Sequence, residues 1–319
     1  MLQFRWILLA SAVFVLNNLV WSQNYPSRPI RIVTTAAGSG SDFGARLIAQ
    51  GLTASFGQQV VVDNRGGSVV IAVGIVAKAL PDGYNVLVYP SPLWLLPFLQ
   101  EEVPYDPVKD FAPVSLTTKA PNFLVVNPAL PINSVKELIT YAKARPGELN
   151  YASGPAGTTN HLSAELFKSM AGINIVRIPY KGTAPALNAL FGGQVQLMFA
   201  PAGGVAGHLK SGRVRALAVT SAQPSPIAPG LPTMAAAGLP GYESVTIVGM
   251  LAPAGTPARL INLLHQEVVK VLSKSDVKEK FFNAGVETVG STPEQFAAAI
   301  KFDMATMGKV IREAGIRGD

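Results

Sequence analysis

The chain has 319 residues, no cysteine, and a formal net charge of +7 from 26 Lys and Arg against 19 Asp and Glu. Without thiols there can be no disulfide, Cys–zinc site, iron–sulfur cluster, thiol nucleophile or acylated lipoprotein cysteine. The cations are scattered (Arg28, Arg31, Lys136, Lys143, Lys181, Arg213, Arg215) rather than gathered in a stripe with aromatics, which speaks against nucleic acid and leaves a weak long-range pull on anions.

Residues 1–22 read as a cleaved targeting segment: Arg5, the apolar run Trp6–Val20, and a small-residue site at Val20-Trp21-Ser22 before Gln23. The run is shorter than the ~20 residues of a membrane span. An exported mature chain of this length, with no disulfides, needs its own core, and two lobes are expected.

Ile30–Thr34 predicts a strand, followed by a helix from Ser41 with Phe43, Leu47, Ile48 and Leu52 on one face. A second strand at Val60–Asp63, a helix at Val69–Leu80, a turn at Pro81-Asp82-Gly83 and a third strand at Asn85–Tyr89 follow. This β-α-β-α-β order implies a parallel sheet covered on both faces. The segment from Pro90 to Pro113 reads as irregular, and Asn122–Asn127 as a strand. Ser134 and Glu137 form a capping box for a helix ending near Arg145.

The alternation then repeats. Strands are expected at Asn150–Ser153, Ile173–Pro179, Val195–Phe199 and Val214–Thr220, with helices through Met170, from Ala184 and near Val205–Ser211. Ser225–Tyr242 is a loop, Ser244–Ala252 a long apolar strand, and Thr256-Pro257 and Thr292-Pro293 open two closing helices. Those helices should pack back onto the first lobe, with chain crossings near 125 and 245 forming a hinge. The expected fold is α/β with two lobes, residues 23–125 plus 246–319 and residues 126–245, each a mainly parallel sheet flanked by helices.

Two stretches share one design: Gly38-Ser39-Gly40-Ser41-Asp42 after the first strand, and Ser153-Gly154-Pro155-Ala156-Gly157-Thr158 before a later helix. Glycines expose backbone N–H groups, and a helix start adds unpaired donors at the positive end of its dipole. Such turns hold a carboxylate or phosphate without a side-chain cation. Asp42 either contacts the ligand or charges the helix start, and His161 is either a neutral donor or a packed side chain. A dinucleotide fingerprint is imitated by Gly38-x-Gly40, Gly44 and Asp63, but the third glycine falls one place late and Asp42 would oppose a pyrophosphate.

No catalytic set is present. His161, His208 and His265 lack metal-ligand spacing, and neither Gly-x-Ser-x-Gly nor a phosphate-loop lysine motif occurs. The reading is a non-enzymatic receptor with no metal and no cofactor; a receptor of another transporter or signalling system, or a periplasmic enzyme, are the alternatives.

The sequence also resembles a known family. Tyr25-Pro-Ser-Arg-Pro-Ile30, Ala36-Ala-Gly-Ser-Gly-Ser-Asp42, Asp63-Asn-Arg-Gly66, Pro81-Asp-Gly-Tyr84, Tyr105-Asp-Pro-Val-Lys-Asp-Phe111, His161-Leu-Ser-Ala-Glu-Leu-Phe167, Pro179-Tyr-Lys-Gly-Thr-Ala-Pro185, Gly192-Gly-Gln-Val195, Leu231-Pro-Thr-Met234 and Gly249-Met-Leu-Ala-Pro-Ala-Gly-Thr-Pro257 are similar to the Bug (TctC-like) receptors of tripartite tricarboxylate transporters. The resemblance implies a Venus-flytrap receptor in the periplasm that closes on a small carboxylated solute, a di- or tricarboxylate or an aromatic carboxylate, and passes it to membrane permease subunits; a monomer is expected. It implies pocket contributions from both glycine turns, from Ser91, from Tyr180, Lys181 and Gly182, and from Ala200 and Pro201.

The chain departs from the pattern at Ser68-Val-Val-Ile-Ala72, where the family is Gly-Ala-rich, and at Gln196 and Ala200, where aspartates are common. Missing acids remove a partner for a ligand amine, so an amino-acid ligand is disfavoured. Trp94, in the bulky Leu93-Trp94-Leu95, either stacks on an aromatic carboxylate or belongs to the core.

Overall fold

The computed structural model describes residues 25–318, so the expected targeting segment lies outside the described residues. In chain order the first elements are β1 (Ile30–Thr34), α1 (Gly40–Phe56), β2 (Val60–Asn64), α2 (Val69–Ala77), β3 (Asn85–Pro90), α3 (Pro92–Leu99) and β4 (Phe111–Val126). Then come α4 (Val135–Ala144), β5 (Asn150–Ser153), α5 (Thr159–Ala171), β6 (Val176–Pro179), α6 (Thr183–Phe191), β7 (Leu197–Pro201), α7 (Ala202–Lys210) and β8 (Arg215–Val219). The chain finishes with β9 (Val245–Pro253), α8 (Ala258–Ser273), α9 (Ser275–Asn283), β10 (Glu287–Thr288) and α10 (Pro293–Glu313).

Strand β1 reads apolar almost throughout because both its faces are covered. Ile30 and Ile32 pack under α1, α8 and α9, whereas Val33 faces α2, α3 and α10. The sheet runs β2-β1-β3-β9-β4-β7-β5-β6. β1 is parallel to β2 and β3, and β5 is parallel to β6 and β7, as the β/α alternation predicts. The centre is antiparallel: β9 opposes β3 and β4, and β4 opposes β7 and β8. Each half is therefore mixed rather than uniformly parallel, and the fold is a two-lobed α/β sheet structure.

Strand β4 joins the halves. Its Phe111–Pro121 portion pairs with β9, and Asn122–Val126 pairs with β7 and β8. The expected strand at Asn122–Asn127 is only the far end of this element. Prolines hid the rest; Pro113 flanks one of two register shifts in the β9 ladder, where a missing N–H is tolerated.

The Pro90–Pro113 segment is likewise not irregular throughout, because it contains α3. Pro92 stands in the first turn, where its missing N–H is no loss. Pro97 removes the bond to the Leu93 carbonyl four residues back, and the Tyr105 hydroxyl donates to that carbonyl at 2.7 Å. Smaller corrections concern ends: α2 stops at Ala77 rather than Leu80, which is 71% exposed, and α8 begins after Pro257. The closing helix carries the full capping box of Thr292 and Gln295.

Candidate functional site

The topology brings two sets of strand ends face to face. β1, β3 and β4 run the same way, whereas β5 and β7 run opposite to β4. The C-terminal ends of β1 and β3 thus point toward the second half, and those of β5 and β7 toward the first. Pro90, the last residue of β3, pairs with Val248, which pairs with Thr118; Pro201, the last of β7, pairs with Asn122. Both ends abut the same short stretch of β4. Ligands of open α/β sheets bind outside such strand ends.

The first glycine turn is braced by Asp42. Gly38 has φ +78°, and this left-handed bend aims its N–H at Asp42 Oδ2, 2.8 Å away. Asp42 Oδ1 accepts from Asn64 Nδ2 at 2.8 Å and meets Arg46 Nε at 2.9 Å. Burial alone would raise this carboxyl, but the bonds from Asn64, Gly38 and Arg46 outweigh it and hold it below the ordinary carboxylate range. Ser39 caps α1, its Oγ accepting the Asp42 N–H at 3.1 Å and lying 2.5 Å from the Thr35 hydroxyl.

Asp42 therefore builds the turn, and the Gly38 amide is committed to it. Gly40 and Ser41 keep N–H groups that no intrahelical carbonyl reaches. A Cβ at Gly40 would meet nothing within 4 Å, so this helix start faces open space. Replacing Asp42 with alanine is expected to cost about 2 kcal/mol or more, since Gly38, Asn64 and Arg46 lose one shared acceptor. Urea unfolding checks this.

The second turn is braced from beneath. Ser153, fully buried, donates to the Gly154 carbonyl at 3.0 Å and accepts from Arg177 Nε at 2.7 Å; Arg177 Nη2 also donates to Gly154 O at 2.8 Å. Gly157 (φ +75°) donates its N–H to His161 Nδ1 at 3.2 Å. His161 can accept there only when neutral. Burial, reinforced by the Arg177 charge, lowers it to about 4. It is 3% exposed and lies packed beneath the turn, whose Gly157 amide it holds. Below it Glu165 accepts from the Tyr151 hydroxyl and from Lys168 Nζ at 2.8 and 2.9 Å. The Thr158 hydroxyl lies 2.7 Å from Pro155 O and 2.6 Å from Asn160 Oδ1, and has one proton to share.

Tyr180 is half-buried beside the same turn, its N–H donating to Ser153 O at 2.8 Å; Lys181 is exposed, and Gly182 precedes α6. Ala200 is fully buried in the core beneath α6 and α7, so its methyl joins that packing, whereas Pro201 stands at the strand end. Ser91 is 4% exposed with no hydrogen bond of ordinary geometry; its hydroxyl shares a small recess with Thr159, Ser244 and Asp303. Trp94 is core: its ring meets Phe296 edge-on at 6.0 Å and its Nε1–H donates to Asp303 at 2.6 Å. That contact removes the aromatic-stacking option for the ligand.

Sequence reasoning missed Arg177 and Asp303. Arg177 is a cation inside an otherwise apolar strand beside a glycine turn, which is a legible signal. Asp303 gave none, since an acid on an amphipathic helix reads as solvated. Burial raises it to about 6 against the Trp94 bond. A cavity of about 280 Å³ lies against it behind the crossing strands, with Lys119, Glu243 and Ile247 in its wall, and neither glycine turn contributes to it. Among the described residues no cluster of His, Asp or Glu could hold a metal ion, and no helix is long and apolar enough to cross a membrane.

The family model described as "Tripartite tricarboxylate transporter family receptor" matches residues 44–316. The chain belongs to that family. The TctC-type receptors bind solutes and are not enzymes. BugT of Bordetella pertussis is 38% identical over 302 residues, covering 93% of each chain. The structure of Rhodopseudomonas palustris Rpa4515 with adipate is 38% identical with a TM-score of 0.76, covering 92% of this chain and all of the other. MatC from Rhodopseudomonas palustris, with bound malate, is 29% identical with a TM-score of 0.72, covering 90% and 100%. The resemblance expected from the motifs is thereby established.

Proposed function

We propose that this TctC-type receptor is exported to the periplasm and captures a small aliphatic mono- or dicarboxylate between its halves for a membrane permease. The observation that carries the reading is the pair of helix starts at opposed strand ends, at Gly40–Ser41 and at Thr159, each presenting uncommitted backbone donors. Adipate and malate in related structures agree with such a site. Ser39, Ser41, Ser91, Thr158, Tyr180, Lys181, Gly182 and Pro201 form its rim, while Asp42, Ser153, Gly154, Gly157 and His161 hold the turns in shape.

The pairing switch of β4 at Pro121/Asn122 supports lobes near the expected boundaries, 23–125 with 246–319 and 126–245. A solute that touches both lobes only when they are shut shifts the equilibrium by its differential affinity. The receptor acts as a monomer.

The test is a thermal-shift and calorimetric panel of C3–C6 dicarboxylates, citrate, monocarboxylates and amino acids. An aliphatic carboxylate at 100 times its Kd should stabilise the chain by about 2.7 kcal/mol. Stabilisation by amino acids alone, or by no acid, overturns the proposal.

A further inference from the structure

Beside the changeover in β4, the two halves touch through bare main chain. A Cβ built on Gly203, in the first turn of α7, would lie 2.5 Å from the Ala284 carbonyl oxygen. One built on Gly285 (φ +74°) would lie 2.4 Å from the Gly203 nitrogen and 2.7 Å from its Cα. Ala284 is the C-cap of α9, so the positive start of one helix abuts the negative end of another. Nearby, the Ser225 hydroxyl donates to Glu287 of β10, and Glu287 pairs with Lys119 of β4, three residues before the strand changes partners.

We propose that Gly203 and Gly285 form the bearing on which the halves rock, and that their missing side chains set how far the cleft can shut and so how tightly solute is held. This rests on the receptor reading above. Neither residue need touch solute. A methyl here must push the opposing backbone back by about 1 Å to reach ordinary contact, and packed main chain cannot yield as a side chain would. So close to a pivot, that wedge displaces the far rim by more than its own size. The shut population then falls, and apparent affinity falls with it.

The variant is Gly203→Ala, because the position is helical and alanine is at home there. Gly207→Ala, in the same helix with nothing within 4 Å of its Cβ, is the control. Calorimetry with adipate and with L-malate should show at least tenfold weaker binding in Gly203→Ala, by one common factor, with Gly207→Ala unchanged and the ligand-free melting point held in both. The cysteine-free chain also allows a solute-independent readout: nitroxides on Ala54→Cys and Asn188→Cys, one exposed position in each half. Their separation should shift to longer distances in Gly203→Ala.

Unchanged distances overturn the bearing, as do unequal losses for the two acids, which would mean direct solute contact. If neither acid binds the parent chain, two carboxylates that do bind in the wider panel replace them; if none binds, the functional proposal falls, and the label distances alone decide the bearing.

Discussion

The Asp303→Asn variant is expected to lose about 3 kcal/mol of stability between pH 6.5 and pH 4, while the parent chain stays nearly level over the same range. His161 and Asp303 pull in opposite directions. The folded chain holds His161 near 4 against 6.5 when unfolded, so in this window the unfolded state binds the extra proton and acid destabilises. The stability this neutral imidazole contributes is complete above pH 6.5 and gone at about 4. Asp303 is the reverse: near 6 when folded against 3.8 unfolded, it takes its proton first in the folded state, and acid stabilises.

Each shift is worth about 3 kcal/mol, so they nearly cancel. Removing Asp303 exposes the His161 slope, and His161→Gln should expose the opposite one, with stability rising as pH falls. Asp42, Asp63 and Glu267, all held low, add loss only below their unfolded values of 3.8 to 4.5. Urea unfolding at half-unit pH steps decides the matter; a level Asp303→Asn profile would refute the assignment of His161 as a buried neutral acceptor. Since protonated His161 cannot accept the Gly157 N–H, and the folded chain takes that proton only near its own value of about 4, solute binding should hold down to about pH 5 and weaken as pH falls through 4.

Gly249→Ala is expected to destabilise the chain by about 3 kcal/mol or more, lowering Tm by roughly 5–10 °C. The Phe296 ring lies on Gly249, and a Cβ there would fall 2.0 Å from its Cζ. Phe296 is fully buried and braced by Trp94, so it cannot swing aside. Adding Phe296→Leu to Gly249→Ala should recover part of the loss, because the smaller side chain leaves room for the methyl. A melting point within 2 °C of the parent for the single variant would show that the close approach is not maintained in solution.

Much of the outer architecture was legible. The β/α alternation of both halves, the caps at Ser134 and Thr292, and the two glycine turns followed from apolar periodicity, turn chemistry and capping residues, all properties of neighbouring positions. The failures share a cause as well. α3 was missed because Pro92 and Pro97 read as breakers; the hydroxyl that takes the freed Leu93 carbonyl comes from Tyr105, and local pattern does not reveal such a partner. The early part of β4 was missed because its prolines sit at irregularities defined by β9, far away in sequence.

By itself, then, the sequence determined which strands and helices alternate, that thiol chemistry is absent, and that two helix starts carry glycine-rich turns. Short-range backbone preferences decide those things. Only the tertiary structure decided which donors remain free, because Asp42 and His161 claim the Gly38 and Gly157 amides through bonds that exist only once turn and helix are folded together. It alone placed Arg177 under the second turn, Asp303 against Trp94, and Gly203 against Gly285. Burial, pKa and closeness of approach depend on residues brought together from distant parts of the chain.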